Sequence, residues 1–167
     1  TALHSVCEFG VAGVLDKEDF GEHFNVIFEN ELEALPPKVE RREKLIEAMR
    51  GQAEPIYTKF LAELDRMFPE YEVHQAEEKL FEPITEFTAD TCEFKGFIDL
   101  VIKTPDGKYH IIDWKTCSWG WDQKKRSDRM TTYQLTLYKK FWCQKHNIDP
   151  SMVETYFGLL KRTAKDK

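Results

Sequence analysis

The sequence predicts a sheet domain of the α/β or α+β class, and three observations carry that prediction. Residues 94–103 (FKGFIDLVIK) and 109–116 (YHIIDWKT) are rich in β-branched and aromatic side chains and flank a turn of composition Thr-Pro-Asp-Gly-Lys. Segments of helical periodicity stand before and after this pair. The chain has 167 residues, 41% hydrophobic and 32% charged, which suffices for one domain with its own core. Strands set between helices must bury their apolar faces in layers.

In chain order, Thr1 to Leu15 reads as a helix, with Leu3, Val6, Cys7, Gly10 and Val14 at helical spacing. Pro36-Pro37 marks a break. Lys38 to Arg50 and Glu54 to Met67, rich in Glu, Lys, Leu, Ala and Arg, read as two helices with Gly51 near their join and Pro69 past the end. They carry no evident chemistry, so they are expected to form an inserted or capping helical layer. From Tyr71 to Phe87 the pattern is extended. In the turn after residues 94–103, Pro105 pre-sets the backbone and Gly107 supplies a positive φ, so a hairpin is expected. Thr131 to His146 returns to helical periodicity, Val153 to Leu160 reads as a strand, and a basic tail closes the chain. No internal repeat or low-complexity tract is visible.

No apolar run is long enough to span a bilayer, and no signal peptide opens the chain. A soluble, intracellular protein without a membrane partner is expected; the first residue is Thr1 rather than Met, so a trimmed fragment is expected too. The four cysteines, Cys7, Cys92, Cys117 and Cys143, form no CxxC pair and suit neither a disulfide framework nor a zinc site. They are expected to be reduced thiols, mostly buried. The net charge of −6 hides an asymmetry: residues 1–106 hold 11 Lys/Arg and 24 Asp/Glu, whereas residues 107–167 hold 13 Lys/Arg and 6 Asp/Glu. A basic last part leaves room for a polyanion, although a solvated asymmetry without a partner is equally open.

The hairpin carries the chemistry. A three-residue loop Pro105-Asp106-Gly107 pairs Thr104 with Lys108 and puts Asp99 directly across from Asp113. Alternation then gives Lys115 the same face, and leaves Ile98, Leu100, Ile102, Ile112 and Trp114 as an apolar surface on the other. Two carboxylates whose Cβ atoms are roughly 5 Å apart repel each other. They need a proton, a cation or strong hydrogen bonds to ionise together. A hard divalent ion such as Mg²⁺ suits them, and Lys115 adds a positive charge that could stabilise a transition state or orient water. The plainer alternative is a surface hairpin with a salt-bridge cluster. The apolar runs around both acids, FIDLVI and IIDW, weigh against it, because buried acids need partners.

These residues also resemble a family. Gly96-Phe97-Ile98-Asp99-Leu100-Val101, then a hairpin, then Ile111-Ile112-Asp113-Trp114-Lys115-Thr116, is similar to the PD-(D/E)XK nuclease superfamily, and more narrowly to its RecB-like branch, with G-x-x-D followed by D-x-K-T. Ala2-Leu3-His4 resembles that branch's opening "alH" motif. Gln134-Leu135-Thr136-Leu137-Tyr138 resembles its Q-x-x-x-Y motif, and Glu77-Glu78-Lys79-Leu80-Phe81 its acidic strand. The DWKT wording is similar to phage and mitochondrial genome maintenance exonucleases. The motifs run in order from His4 to Tyr138, and the ordered set is far more specific than any one of them.

The resemblance implies an α/β fold with a restriction-endonuclease-like core, in which a central mixed β-sheet is flanked by helices and a helical layer is inserted at about 29–68, all in one domain. It implies that Asp99 and Asp113 ligate Mg²⁺ or Mn²⁺, with the Trp114 carbonyl and His4 completing part of the shell. It implies that Lys115 positions or activates water, and that Glu77 acts near the metal, with Glu78 as the alternative. Gln134 and Tyr138 would border the site and contact DNA. Glu8, one turn after His4, could orient its ring. Some members of the branch hold an iron–sulfur cluster on four cysteines, three near the C-terminus; the spacing here leads us to expect none. Each assignment has a plain competitor: His4 as a surface histidine, Tyr138 as core, the glutamates as a solvated edge.

The stretch 118–129 (SWGWDQKKRSDR) interleaves Trp119 and Trp121 with Lys124, Lys125, Arg126 and Arg129, the composition that single-stranded DNA binding requires. A mobile surface loop is the other reading. Together these expectations describe a metal-dependent deoxyribonuclease, first an exonuclease on single strands or DNA ends. A structure-specific or site-specific endonuclease, an RNA-directed nuclease and a non-catalytic DNA-binding module are the alternatives.

Overall fold

The computed structural model describes residues 2–38, 42–84, 92–118 and 120–162. The chain divides into two compact units. The first comprises Thr1–Phe68, Lys115–Gly120 and Leu159–Lys167, and the second Pro69–Trp114 and Trp121–Gly158.

Four helices build most of the first unit: α1 (Ala2–Val11), α2 (Phe20–Glu33), α3 (Glu43–Tyr57) and α4 (Phe60–Met67). Phe20, Phe24 and Phe28 recur every four residues on α2 and are all buried. Phe20 packs on Phe60 of α4, and Phe24 on Tyr57 of α3. Arg50 of α3 bonds Asn25 and Glu29 of α2, with its guanidinium 5.2 Å from the centre of the Phe28 ring. Two expectations are corrected here. The sequence reading contains no counterpart of α2, although the Phe20–Phe24–Phe28 spacing is its signal. The join between the later helices falls at Thr58-Lys59, not near Gly51: α3 runs through both Gly51 and Pro55. Pro55 stands in the last turn of α3, where its missing N–H removes one backbone bond near the helix end. Residue 29, where an inserted layer was expected to begin, falls within α2.

A mixed four-stranded sheet of order β1-β2-β3-β4 holds most of the second unit: β1 (Glu72–Pro83), β2 (Glu93–Lys103), β3 (Tyr109–Cys117) and β4 (Val153–Lys161), the ends of β3 and β4 being counted with the first unit. The first two pairings are antiparallel. The chain passes from β3 to β4 through α5 (Gln123–Arg126) and the long α6 (Arg129–His146). The hairpin takes the expected form: Thr104 N–H donates to the Lys108 carbonyl at 3.0 Å, and Gly107 has φ +85°, a conformation that other residues adopt only with strain.

Helix α6 covers one face of the sheet. Leu80, Ile98, Val101 and Ile111 from the strands form a single core with Leu135, Tyr138, Phe141, Trp142 and Cys143 from α6, and with Val153. This corrects the expected facing of β2. Ile98 and Val101 are three residues apart yet share this core, so strict alternation fails through Asp99-Leu100. Leu100, Ile102, Ile112 and Trp114 are buried as well. Cys7 and Cys143 are buried, Cys117 is half-buried and Cys92 is exposed. Among the described residues, no helix is long and apolar enough to cross a membrane.

Candidate active site

The regular pairs of the β2–β3 ladder run from Lys103 with Tyr109 to Leu100 with Ile112. Asp99 and Asp113 come one step beyond that end. Asp99 Oδ2 accepts the backbone N–H of Trp114 at 2.6 Å, so its carboxylate reaches onto the β3 backbone beside Asp113. Asp113 is only 2% exposed. Its Oδ1 accepts a hydrogen bond from Gln134 Nε2 on α6 at 3.1 Å. Lys115 is half-buried and stands two residues further along β3.

On β1, the pairs Ala76 with Leu100 and Glu78 with Ile98 bracket Glu77, which therefore lies across from Asp99. Glu77 and Asp99 thus stand level on neighbouring strands. Glu77 is exposed and has φ +47°, a strained conformation for a glutamate inside a strand. Among the described residues no group of three or more His, Cys, Asp or Glu side chains is placed so that it could hold a metal ion. The two aspartates nevertheless fit one kind of ion. Mg²⁺ is commonly held by one or two carboxylates, with water and substrate phosphate supplying the rest.

Local sequence explains why α6 presents Gln134 to Asp113. Asp128 caps the helix, its Oδ2 accepting Thr131 N–H at 3.1 Å and the Thr131 hydroxyl at 2.5 Å. Asn147 ends it in the left-handed conformation. Gln134 and Tyr138, four apart, share a face, and Gln134 Nε2 also donates to the Tyr138 hydroxyl at 3.0 Å. The Tyr138 ring lies in the core under α6. A Cβ on Gly96 would sit 2.8 Å from Tyr138 Cε1 and 3.0 Å from Phe94 Cε1. The glycine of the G-x-x-D pattern and the tyrosine of Q-x-x-x-Y are therefore packing partners, and only a residue without a side chain lets the tyrosine in.

Of the two candidate glutamates, Glu78 is the buried one. Its Oε2 accepts Trp142 Nε1–H at 2.7 Å, and its Oε1 accepts from Lys145 Nζ at 2.8 Å and lies 2.6 Å from His146 Nε2. Burial pushes the Glu78 carboxyl up, but the bonds from Lys145, His146 and Trp142 outweigh it and hold its pKa below the ordinary value. The sequence reading did not anticipate these three partners, although Trp142, Lys145 and His146 fall at helical i, i+3, i+4 spacing.

His4 is half-buried on α1, one turn before the half-buried Glu8. Lys124, Lys125 and Arg126 are exposed on α5, capped by Asp122, which accepts Lys125 N–H at 2.7 Å. Trp121 packs on Phe157 with ring centres 4.8 Å apart, Lys125 Nζ stands 5.7 Å from its ring, and Arg126 Nε donates to its carbonyl. Trp119 lies outside the described residues.

The family model of the PD-(D/E)XK nuclease superfamily matches residues 1–167. A mixed four-stranded sheet flanked by helices agrees with the restriction-endonuclease-like α/β fold of that group. No curated protein matches the chain.

Proposed function

The chain belongs to the PD-(D/E)XK nuclease superfamily, and from that premise we propose that it is a divalent-metal-dependent deoxyribonuclease of the RecB-like branch, working as one domain and acting as an exonuclease on single-stranded DNA or DNA ends. The observation that carries the reading is the meeting of Asp99 and Asp113 at the end of the β2–β3 ladder, with the buried Asp113 held by Gln134. A salt-bridged surface hairpin would leave these acids in solvent.

Asp99 and Asp113 would hold Mg²⁺ or Mn²⁺, with the Trp114 carbonyl alongside and Glu77 close by, level with Asp99. When bound, the ion polarises the scissile phosphate and lowers the pKa of the attacking water. Gln134 fixes the rotamer of Asp113 through a neutral amide, which orients a carboxylate without neutralising it. The Asp99 bond to Trp114 N–H fixes the second carboxylate against the strand. Lys115 positions the water or places its charge beside the phosphate. His4, with Glu8 to orient it, is assigned as a further ligand on the resemblance alone. Lys124, Lys125 and Arg126 supply phosphate contacts and Trp119 a stacking face, whereas Trp121 gives part of its surface to Phe157.

Digestion of linear and circular single-stranded DNA, with Mg²⁺ and with EDTA, tests the reading. An exonuclease degrades the linear strand and spares the circle, an endonuclease cuts both, and EDTA stops either. Intact DNA in every lane, with retained binding, would leave only a non-catalytic module.

A further inference from the structure

Lys79, Phe81, Lys95 and Phe97 lie on the β1–β2 hairpin, and no chemistry described so far uses them. Their strand neighbours Glu78, Leu80 and Ile98 all turn toward α6, so these four occupy the opposite face. Lys79 pairs with Phe97 across the ladder, and Phe81 pairs with Lys95. The two cations and two rings therefore form a checkerboard. Phe81 is 53% exposed and Phe97 47%. Each ring has an ammonium beside it on its own strand: Lys79 Nζ is 6.0 Å from the Phe81 centre, and Lys95 Nζ is 5.9 Å from the Phe97 centre.

We propose that this face of β1 and β2 is a stacking platform for a single-stranded polynucleotide, on which Phe81 and Phe97 take base faces and Lys79 and Lys95 take the flanking phosphates. The identification of the ligand rests on the nuclease reading. A lone exposed phenyl needs no explanation, but two rings set diagonally among two lysines are the combination that binds single strands without reading sequence. The charge fits a polyanion, and paired bases in a duplex would not offer their faces.

The test is fluorescence anisotropy of a labelled oligothymidylate on the full chain, with Ca²⁺ in place of Mg²⁺. Hydrolysis of bis(p-nitrophenyl) phosphate in Mg²⁺ is followed in parallel, because this small diester has no bases to stack. Removing both rings (Phe81→Ala with Phe97→Ala) is expected to weaken oligonucleotide binding by roughly 5- to 150-fold per ring while leaving diester hydrolysis unchanged. Lys79→Gln with Lys95→Gln should lower the slope of log affinity against log salt by about 1.4, or about 0.7 per phosphate contact. Unchanged affinity in the ring variant overturns the platform. So does a wild-type chain that self-associates in sedimentation, when the ring variant is monomeric and binds the oligonucleotide equally well, because a second copy is then the occupant. Ring-dependent binding without diester hydrolysis by the wild type supports the platform and overturns the nuclease reading instead.

Discussion

Helix α6 grips two carboxylates in two different ways. Near its start, the amide of Gln134 meets Asp113. Two turns further on, an indole, an ammonium and an imidazole converge on Glu78. Both acids are buried on the same side of the same sheet, yet the company they keep suits different work. Donors that carry charge offset a buried carboxylate and stabilise the fold. A neutral amide fixes an acid's direction without adding a charge of its own. On the proposed function, Glu78 serves the fold and Asp113 the chemistry.

The largest effect expected from this contrast is catalytic. Asp113→Ala, or Lys115→Ala, should lower DNA cleavage by about a thousandfold or more with the fold retained, as judged by circular dichroism. Cleavage at the wild-type rate in either variant would break the assignment. Glu78→Ala should show the opposite profile, a loss of about 2–4 kcal/mol in urea denaturation, because hydrogen bonds to charged groups disappear and Trp142 Nε1–H is left buried. Equal stability of Glu78→Ala and wild type would remove the structural role.

The pH dependence sharpens the same point. The folded pKa of Glu78 lies below its ordinary value of 4.5, so its contribution is fully present above about that pH and is lost as pH falls through the depressed folded value. Urea midpoints measured downward from neutral pH should therefore decline more steeply for wild type than for Glu78→Gln. Matching slopes would mean that Glu78 does not report the acid limb. Two smaller effects concern positioning. Gln134→Ala should raise the Mg²⁺ concentration needed for half-maximal activity by about 10- to 100-fold, since groups that orient ligands act through affinity. Gly96→Ala should cost about 1–3 kcal/mol by forcing Tyr138 and Phe94 apart. A thermal melt that does not move would show that the core can give.

Much of this was legible in the residues. Pro105-Asp106-Gly107 set the hairpin length, and that length fixed the pairs from Lys103 with Tyr109 to Leu100 with Ile112, because the loop of a tight hairpin dictates its register. The β-branched runs and the Gln134 helix stood out by composition and period. Three features did not, each for a physical reason. The break in alternation through Asp99-Leu100 arises where the chain leaves regular pairing, and periodicity alone assumes pairing throughout. Helix α2 escapes a compositional reading because its Phe20–Phe24–Phe28 stripe lies among acidic and polar residues that mask it. The grip on Glu78 joins residues 64 to 68 positions apart, a separation that no local pattern reports.

Mn²⁺ binding followed by calorimetry on wild type, Asp113→Asn and Glu78→Gln reads the division of labour without any need for turnover. Asp113→Asn should lose the binding that wild type and Glu78→Gln retain at equal affinity. Loss in Glu78→Gln with binding intact in Asp113→Asn would contradict it.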